Sequence, residues 1–227
     1  MRVYYDLHIH SCLSPCGDND MTPNNIVNMS LLNGMDMIAL TDHNSCKNCR
    51  AAVRAGEEAG VTVVPGMELT TSEEAHVVCL FPTVEQAEAF GDYVESRSPE
   101  IRNRPEIFGD QLIMDWQDEV VGRVSRLLIN ASSISVGEFG GAAFPAHIDH
   151  DSYSVISSLG AIPAEAEFHA AEISGKGDKE LLLKRYPELQ DMILLLDSDA
   201  HYLDWLKERR PWLDLPEKTA RCLVDAL

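Results

Sequence analysis

Six of the eight histidines stand at the ends of short apolar runs, most of them beside a carboxylate. The pieces are Asp6-Leu-His8-Ile-His10, Thr41-Asp42-His43-Asn44, Gly66-Met67-Glu68, His76, His147 and Asp199-Ala-His201. Strand side chains alternate between faces, so His8 and His10 point one way, as do Asp199 and His201. These groups can meet only if the runs are strands whose ends gather at one rim. Neutral imidazoles and carboxylates that converge on a point hold zinc, manganese or iron. One histidine on an apolar face is ordinarily a satisfied core residue. The two spaced pairs, at the first and last strands, carry the metal reading.

The apolar runs fall at about 3–10, 37–41, 61–68, 76–81, 142–148, 170–174 and 193–198, and their near-continuous character suits parallel strands buried on both faces. Helical patterns separate most of them. Thr22-Pro23 reads as an N-cap with proline at the first helical position, and Gly34 as a stop. A second helix spans about 47–59 before Gly60, a third begins near Thr83, and a fourth covers 179–189, with Pro187 tolerated near its end. Seven strands alternating with helices imply a (β/α) barrel or a doubly wound sheet. Residues 98–141 break the rhythm. There 111–116 and 126–130 are expected to pair as a hairpin, an insertion over the barrel mouth within one catalytic domain of 1–227. The stretch 204–227 reads as a closing helix with a proline-containing loop.

Net charge is −19. A surface that acidic repels phosphate backbones, and bound divalent ions would neutralise part of it; plain solubility explains it equally well. No run approaches the roughly 20 apolar residues of a membrane helix. The first strand starts almost at Met1, so no leader is expected and a cytoplasmic location is. Six cysteines in 227 residues do not suggest a secreted disulfide scaffold.

The motifs D-L-H-I-H-S, T-D-H-N, P-G-M-E, P-A-H and S-D-A-H, in this order over nearly the whole chain, resemble those of the PHP (polymerase and histidinol phosphatase) family. The resemblance implies an α/β fold, a distorted seven-stranded (β/α) TIM-like barrel, with two or three divalent metal ions (Zn, Mn or Fe). It implies hydrolysis of phosphomonoesters, or of phosphodiesters at nucleic-acid ends. Carried over, His8, His10, Glu68 and Asp199 hold one metal, and Asp18, His43 and His201 a second. Glu68 bridges to a third, completed by His76 and His147. Asp18, His43, Glu68, Asp199 and His201 are the catalytic set. Cys16, Asp18 and Asp20 compete for one position, and Asp18 fits because it stands five residues before Pro23, as in the family's S-D-G-x-x-[ST]-P pattern. In barrels of parallel strands, functional residues gather at the carboxyl ends of the strands, and every candidate does so except His76, which opens its strand. Closely paired metals lower the pKa of a shared water toward neutrality, so no serine or cysteine nucleophile is needed. Asp6, Asp42 and Asp197 adjoin ligands and could orient imidazole N–H groups, or be plain polar residues at strand ends.

For the substrate phosphate, Lys176 is the first candidate cation, with Arg102 and Arg104 at the edge of the insertion. His150 could touch substrate or donate a proton to the leaving group. Cys12-x-x-x-Cys16 and Cys46-x-x-Cys49 lie in the loops after the first two strands. They could form a structural zinc or iron–sulfur site, a redox pair, or four unlinked thiols. The favoured function is release of phosphate from a small phosphorylated metabolite or nucleotide. The alternatives are a 3'-5' exonuclease or phosphodiesterase acting on short nucleic acid, and a non-catalytic metal-binding module. The absence of a basic or aromatic-rich tract argues against an extended nucleic-acid partner. The final D-x-H pair and the Asp42-His43 dipeptide separate the chain from amidohydrolases that also begin with H-x-H. Substrate identity, native metal and oligomeric state are not written in the sequence.

Overall fold

The computed structural model describes residues 1–128, 136–206, 208 and 211–227. The first half alternates as expected: β1 (Arg2–Ile9), α1 (Pro23–Leu32), β2 (Met37–Leu40), α2 (Cys49–Ala59), β3 (Thr62–Thr70), β4 (His76–Leu80) and α3 (Val84–Arg97). Then come α4 (Pro105–Phe108), β5 (Leu112–Met114), β6 (Val120–Arg123), β7 (Ala142–Pro145), α5 (Val155–Leu159), β8 (Ala170–Glu172), α6 (Lys179–Arg185), β9 (Ile193–Leu195), β10 (Trp212–Asp214) and α7 (Ala220–Val224). Thr22 caps α1 by accepting from Asn25 N–H, with Pro23 behind it, and Thr83 caps α3 in the same way. Gly60 ends α2 in the left-handed region, at φ 81°.

The strands form a curled, open half-barrel in the order β10-β1-β2-β3-β4-β7, with β8–β9 and β5–β6 as separate two-stranded sheets. Among the described residues the sheets are not joined into one continuous seven-stranded barrel. Side chains explain the gap. Where β1 should pair with the segment after β9, Asp197 Oδ1 accepts Leu7 N–H at 2.6 Å and Asp6 Oδ1 accepts Ser198 N–H at 3.1 Å. Carboxylates thus satisfy backbone groups that a ladder would have paired. Among the described residues, the Ile9–Ala200 bridge is the one ladder pairing of β1 with that segment, and Ile148 N–H to Glu172 C=O (2.9 Å) links the end of β7 to β8.

Strand direction is mixed. β1, β2 and β3 run parallel, while β4 is antiparallel to β3 and to β7. The tight β3–β4 connection, with Thr70 opposite His76, is what makes that reversal. The expected closing helix is instead β10, antiparallel on the outer edge of β1 with Arg2 over Trp212 at 4.0 Å, followed by the short α7. In the insertion, β5 pairs with Val120–Arg123 rather than with 126–130; residues 129 and 130 lie outside the described ones. Asn48 ties this hairpin to the site loops, donating to Leu112 C=O and accepting Met114 N–H.

Two apolar layers sandwich the sheet. Val3, Tyr5 and Leu7 pack inside the curl with Met37, Ala39, Val64, Val78, Phe144 and Leu195. Ile9, Ile38, Leu40 and Val63 face α1 and α2 on the other side. Strict alternation would keep Ile9 with Leu7. However, the β1–β2 register advances three residues on β1, from Asp6 to Ile9, against two on β2, from Ile38 to Leu40. This bulge re-aims the strand end. It sends Ile9 to the helix layer and turns His8 and His10 into the mouth of the curl.

Candidate metal centre

Glu68, buried at the end of β3, is the hub. Its Oε1 lies 3.2 Å from His8 Nε2, 2.8 Å from His76 Nδ1 and 3.2 Å from His147 Nε2. Its Oε2 lies 2.9 Å from His43 Nδ1 and 3.4 Å from His10 Nε2. Asp199 Oδ1 closes the other side, 3.5 Å from His8 Nε2 and 3.1 Å from His10 Nε2. His76 reaches this cluster although it opens its strand, because antiparallel β4 begins where β3 ends. His147 and Asp199 hold the left-handed backbone region, at φ 29° and 49°. For non-glycine residues that conformation costs about 1–3 kcal/mol and gathers at functional sites.

Hydrogen bonds fix the tautomers. His8 Nδ1 lies 2.7 Å from Glu172 Oε2 and must donate to it. Ser14 Oγ gives its proton to Asp42 Oδ1 (2.6 Å), so His10 Nδ1, 3.0 Å away, donates to Ser14. His201 Nδ1 faces the Asp199 carbonyl at 2.8 Å and donates as well. Each ring therefore presents Nε2 as its remaining group, and the Nε2 atoms of His8 and His10 face each other at 3.2 Å. Two lone pairs at that distance repel unless a cation or proton lies between them. Burial opposes charge on both rings. Glu172, Glu68 and Asp199 nevertheless raise His8 well above the usual imidazole range, while burial with the His201 and His43 charges holds His10 well below it.

The remaining expectations separate. Asp18 is in none of the sets of converging ligand atoms; its Oδ1 accepts Asp20 N–H at 2.8 Å and its own N–H donates to the His201 carbonyl at 2.9 Å. Cys16 is exposed in the same loop; against the effect of burial, the His201 and His43 rings lower its thiol pKa to about 6. Lys176 and His150 line a cavity of about 410 Å³ beside the cluster, with His147, Asp199 and Trp205. His150 stacks on His147, with centroids 4.5 Å apart. Arg102 and Arg104 do not line that cavity; Arg102 pairs through its backbone with Arg126, and Arg104 precedes α4. The four loop cysteines do not converge. Cys12 faces Leu112 C=O, and Cys46 and Cys49 both point at Gly66 C=O (3.2 and 3.3 Å) inside an apolar cluster with Phe81 and Phe90. Turned into the core, they leave Cys16 alone at the site. Of the three acids beside ligands, Asp42 works through Ser14, whereas Asp6 and Asp197 hold backbone.

Sequence reasoning missed Glu172, Ser14, Tyr153 and Trp205. A carboxylate inside the apolar run Ala170-Ala171-Glu172-Ile173 was a readable signal for Glu172, since a buried acid needs a partner. Tyr153 stacks on His76 at 5.0 Å, and Trp205 stands 6.0 Å from His201. Nothing local marked either.

The sequence profile of the PHP domain matches residues 6–215. The chain belongs to the PHP domain family. PHP proteins are metal-dependent hydrolases, and this one carries the family's core through β10. It is similar to a 5'-3' exoribonuclease of Haemophilus influenzae, 33% identical over 83 residues, which are 35% of this chain and 29% of that protein. Endonuclease Q of Pyrococcus furiosus, a lesion-specific endonuclease, superposes over 100% of this chain and 56% of its own, with TM-score 0.74 and 18% identity. Endonuclease Q bound to a 27-mer duplex with an abasic lesion matches 89% of this chain and 50% of its own, with TM-score 0.63 and 18% identity. The chain thus spans about half of those nucleases, and its match to the exoribonuclease less than a third of that protein. Among the described residues, no helix is long and apolar enough to cross a membrane.

The PHP side chains fit metal. Three sets each bring ligand atoms within 4.8 Å of one another: His10, His43 and His201; His8, His10 and Glu68; His43, Glu68 and His76. Ligands held at about 2.0–2.1 Å around a tetrahedral ion sit about 3.3 Å apart, which matches most of the edges measured here. His43 Nδ1 and Glu68 Oε2 are buried without a hydrogen-bond partner. Their 2.9 Å approach lacks hydrogen-bond geometry and is that of two donors aimed at a common third atom.

Proposed function

We propose that this PHP protein releases phosphate from small phosphomonoesters, a phosphorylated metabolite or mononucleotide. Two or three divalent ions would be held by His8, His10, His43, Glu68, His76, His147, Asp199 and His201. The observation that supports this best is the cavity of about 410 Å³ opening on Asp199 and His147. That size suits one small molecule. Among the described residues, Lys176 is the one lysine or arginine in the cavity's lining, which also holds Asp197, Asp199 and Asp204. A single phosphate fits such a mixed lining better than a polyanionic backbone does. Bound ions would neutralise phosphoryl charge and make water nucleophilic at neutral pH.

The chain's own residues do the rest. Glu172 and the Asp42–Ser14 pair lock His8 and His10 as Nε2 donors. Lys176 binds a phosphate oxygen. His150, exposed and stacked on His147, delivers a proton to the departing alcohol. Trp205 walls the cavity and limits its water.

A second reading is end-trimming of short nucleic acid. The nuclease relatives favour it, as do the exposed rings of Tyr153, Tyr202 and Trp205 near the mouth, on which bases could stack. Elemental analysis of purified protein, with a panel of phosphomonoesters and short oligonucleotides, tests both. Two or three metals per chain with monoester turnover supports the first reading. Oligonucleotide trimming alone replaces it with the second, and metal-bound protein inert on both panels refutes hydrolysis of either substrate class.

A further inference from the structure

His76 lacks the outer support that neighbouring rings have. Glu172 holds His8, Ser14 holds His10 and the Asp199 carbonyl holds His201, each through Nδ1. In His76 that nitrogen is instead turned to Glu68, 2.8 Å from Oε1. Among the described residues, no group beyond Glu68 holds the ring by a hydrogen bond or ion pair. Tyr153 covers it. The two rings stack with centroids 5.0 Å and planes 26° apart, a favoured offset arrangement. The backbone adds a second contact, His76 N–H to Tyr153 C=O at 2.8 Å.

The turn that carries Tyr153 is pinned on both sides. His150 N–H donates to His147 C=O at 2.9 Å, and Ser154 Oγ donates to His150 C=O at 2.8 Å. Ser154 also caps α5, accepting Ser157 N–H at 3.1 Å. Between these pins Tyr153 takes φ 55°, the left-handed region that a bulky side chain ordinarily avoids. Such strain persists only where the surroundings over-determine it, and it gathers at functional sites. Glycine would adopt this φ freely. Tyrosine stands here instead, 53% exposed, so burial does not account for the ring. Among the described residues its one ring partner is His76.

We propose that Tyr153 is a positioning residue that holds the His76 imidazole for the ion of the His43, Glu68 and His76 set. This rests on the metal-binding reading above. His76 belongs to that set and to neither of the other two, which are His8, His10 and Glu68, and His10, His43 and His201. Removing the stack should therefore empty one site and spare the rest.

Zinc titration against a competing chelator, with elemental analysis, reads this without turnover. Tyr153→Gly keeps the turn and deletes the ring. It should hold one ion fewer per chain, with the weakest affinity falling about 10-fold, as when a ligating histidine loses its outer support. Its metal-free melting temperature should stay level or rise, because the strain at φ is relieved. Tyr153→Phe keeps the ring and should match wild type in ion count, with affinities within about twofold. A full ion count at wild-type affinity in Tyr153→Gly overturns the proposal, as does loss of the ion from Tyr153→Phe. Loss of every ion from Tyr153→Gly together with a lower melting temperature would show a merely structural role and overturns it too. Wild-type protein that binds no zinc would instead overturn the metal reading, and this inference with it.

Discussion

Glu172→Gln isolates the acid that aims His8. In the wild type, His8 Nδ1 and Glu172 Oε2 are 2.7 Å apart and both side chains are almost fully buried. A charge-assisted bond of this kind contributes about 1.5–3 kcal/mol, roughly twice a neutral one. Glutamine keeps an acceptor and the shape but removes the charge, so about half of that is lost from the basicity and aim of Nε2. Loss of such a partner typically lowers metal affinity 10–100-fold, and about 1.4 kcal/mol corresponds to tenfold. We therefore expect affinity to fall about 10-fold, measured by chelator competition with elemental analysis. The metal-free protein should respond differently with pH. The carboxylates raise His8 above its unfolded value, so their stabilisation is complete below about pH 6.5 and fades as pH rises through the folded pKa. Glu172→Gln should consequently lower the metal-free melting temperature at pH 5 more than at pH 8. Affinity within twofold of wild type, with an unchanged pH profile of melting, would refute the view that Glu172 acts through His8.

Three further outcomes follow from named contacts. Gly17→Ala should cost about 1–3 kcal/mol in urea unfolding, because a backbone oxygen 2.2 Å from the new Cβ has nowhere to move; an unchanged midpoint would count against the fixed loop. Lys176→Met should raise KM for the preferred monoester about tenfold, equivalent to ~1.4 kcal/mol, with kcat little changed. An equal loss in kcat alone would show that the lysine acts in the transition state and not in binding. In metal-free protein, burial raises the Cys16 thiol but its bonds to His201 and His43 outweigh that and lower it to about 6. Burial pushes Cys12 up to about 12. Because the thiolate is the reactive form, native alkylation read by mass spectrometry should mark Cys16, rise through about pH 6 and level off by pH 8. A rate still climbing at pH 9 would contradict that environment.

Much of the molecule was legible before any coordinates. Strand and helix positions through α3 came from apolar runs and from caps such as Thr22-Pro23, Thr83 and Gly60, which act within a few residues. His8, His10, His43, Glu68, His76, His147, Asp199 and His201 could be picked out because they stand at the ends of apolar runs, within motifs that resemble those of the PHP family. The hairpin partner and β10 were misread: each is a short strand that exists only because another strand, β5 or β1, offers it an edge.

What the chain alone settled is the inventory of ligand types and that residues two apart, such as His8 and His10, share a side of their strand, since the two-residue period is local. Tertiary structure decided the rest. A one-residue bulge against β2 turns His8 and His10 inward, and the reversal of β4 brings His76 to the rim. Glu172 reaches His8 across 164 positions. The backbone bonds of one tight loop set Cys16 and Asp18 beside the cluster, with Asp18 N–H donating to the His201 carbonyl. Each depends on where a distant backbone group lies, and no local period encodes that.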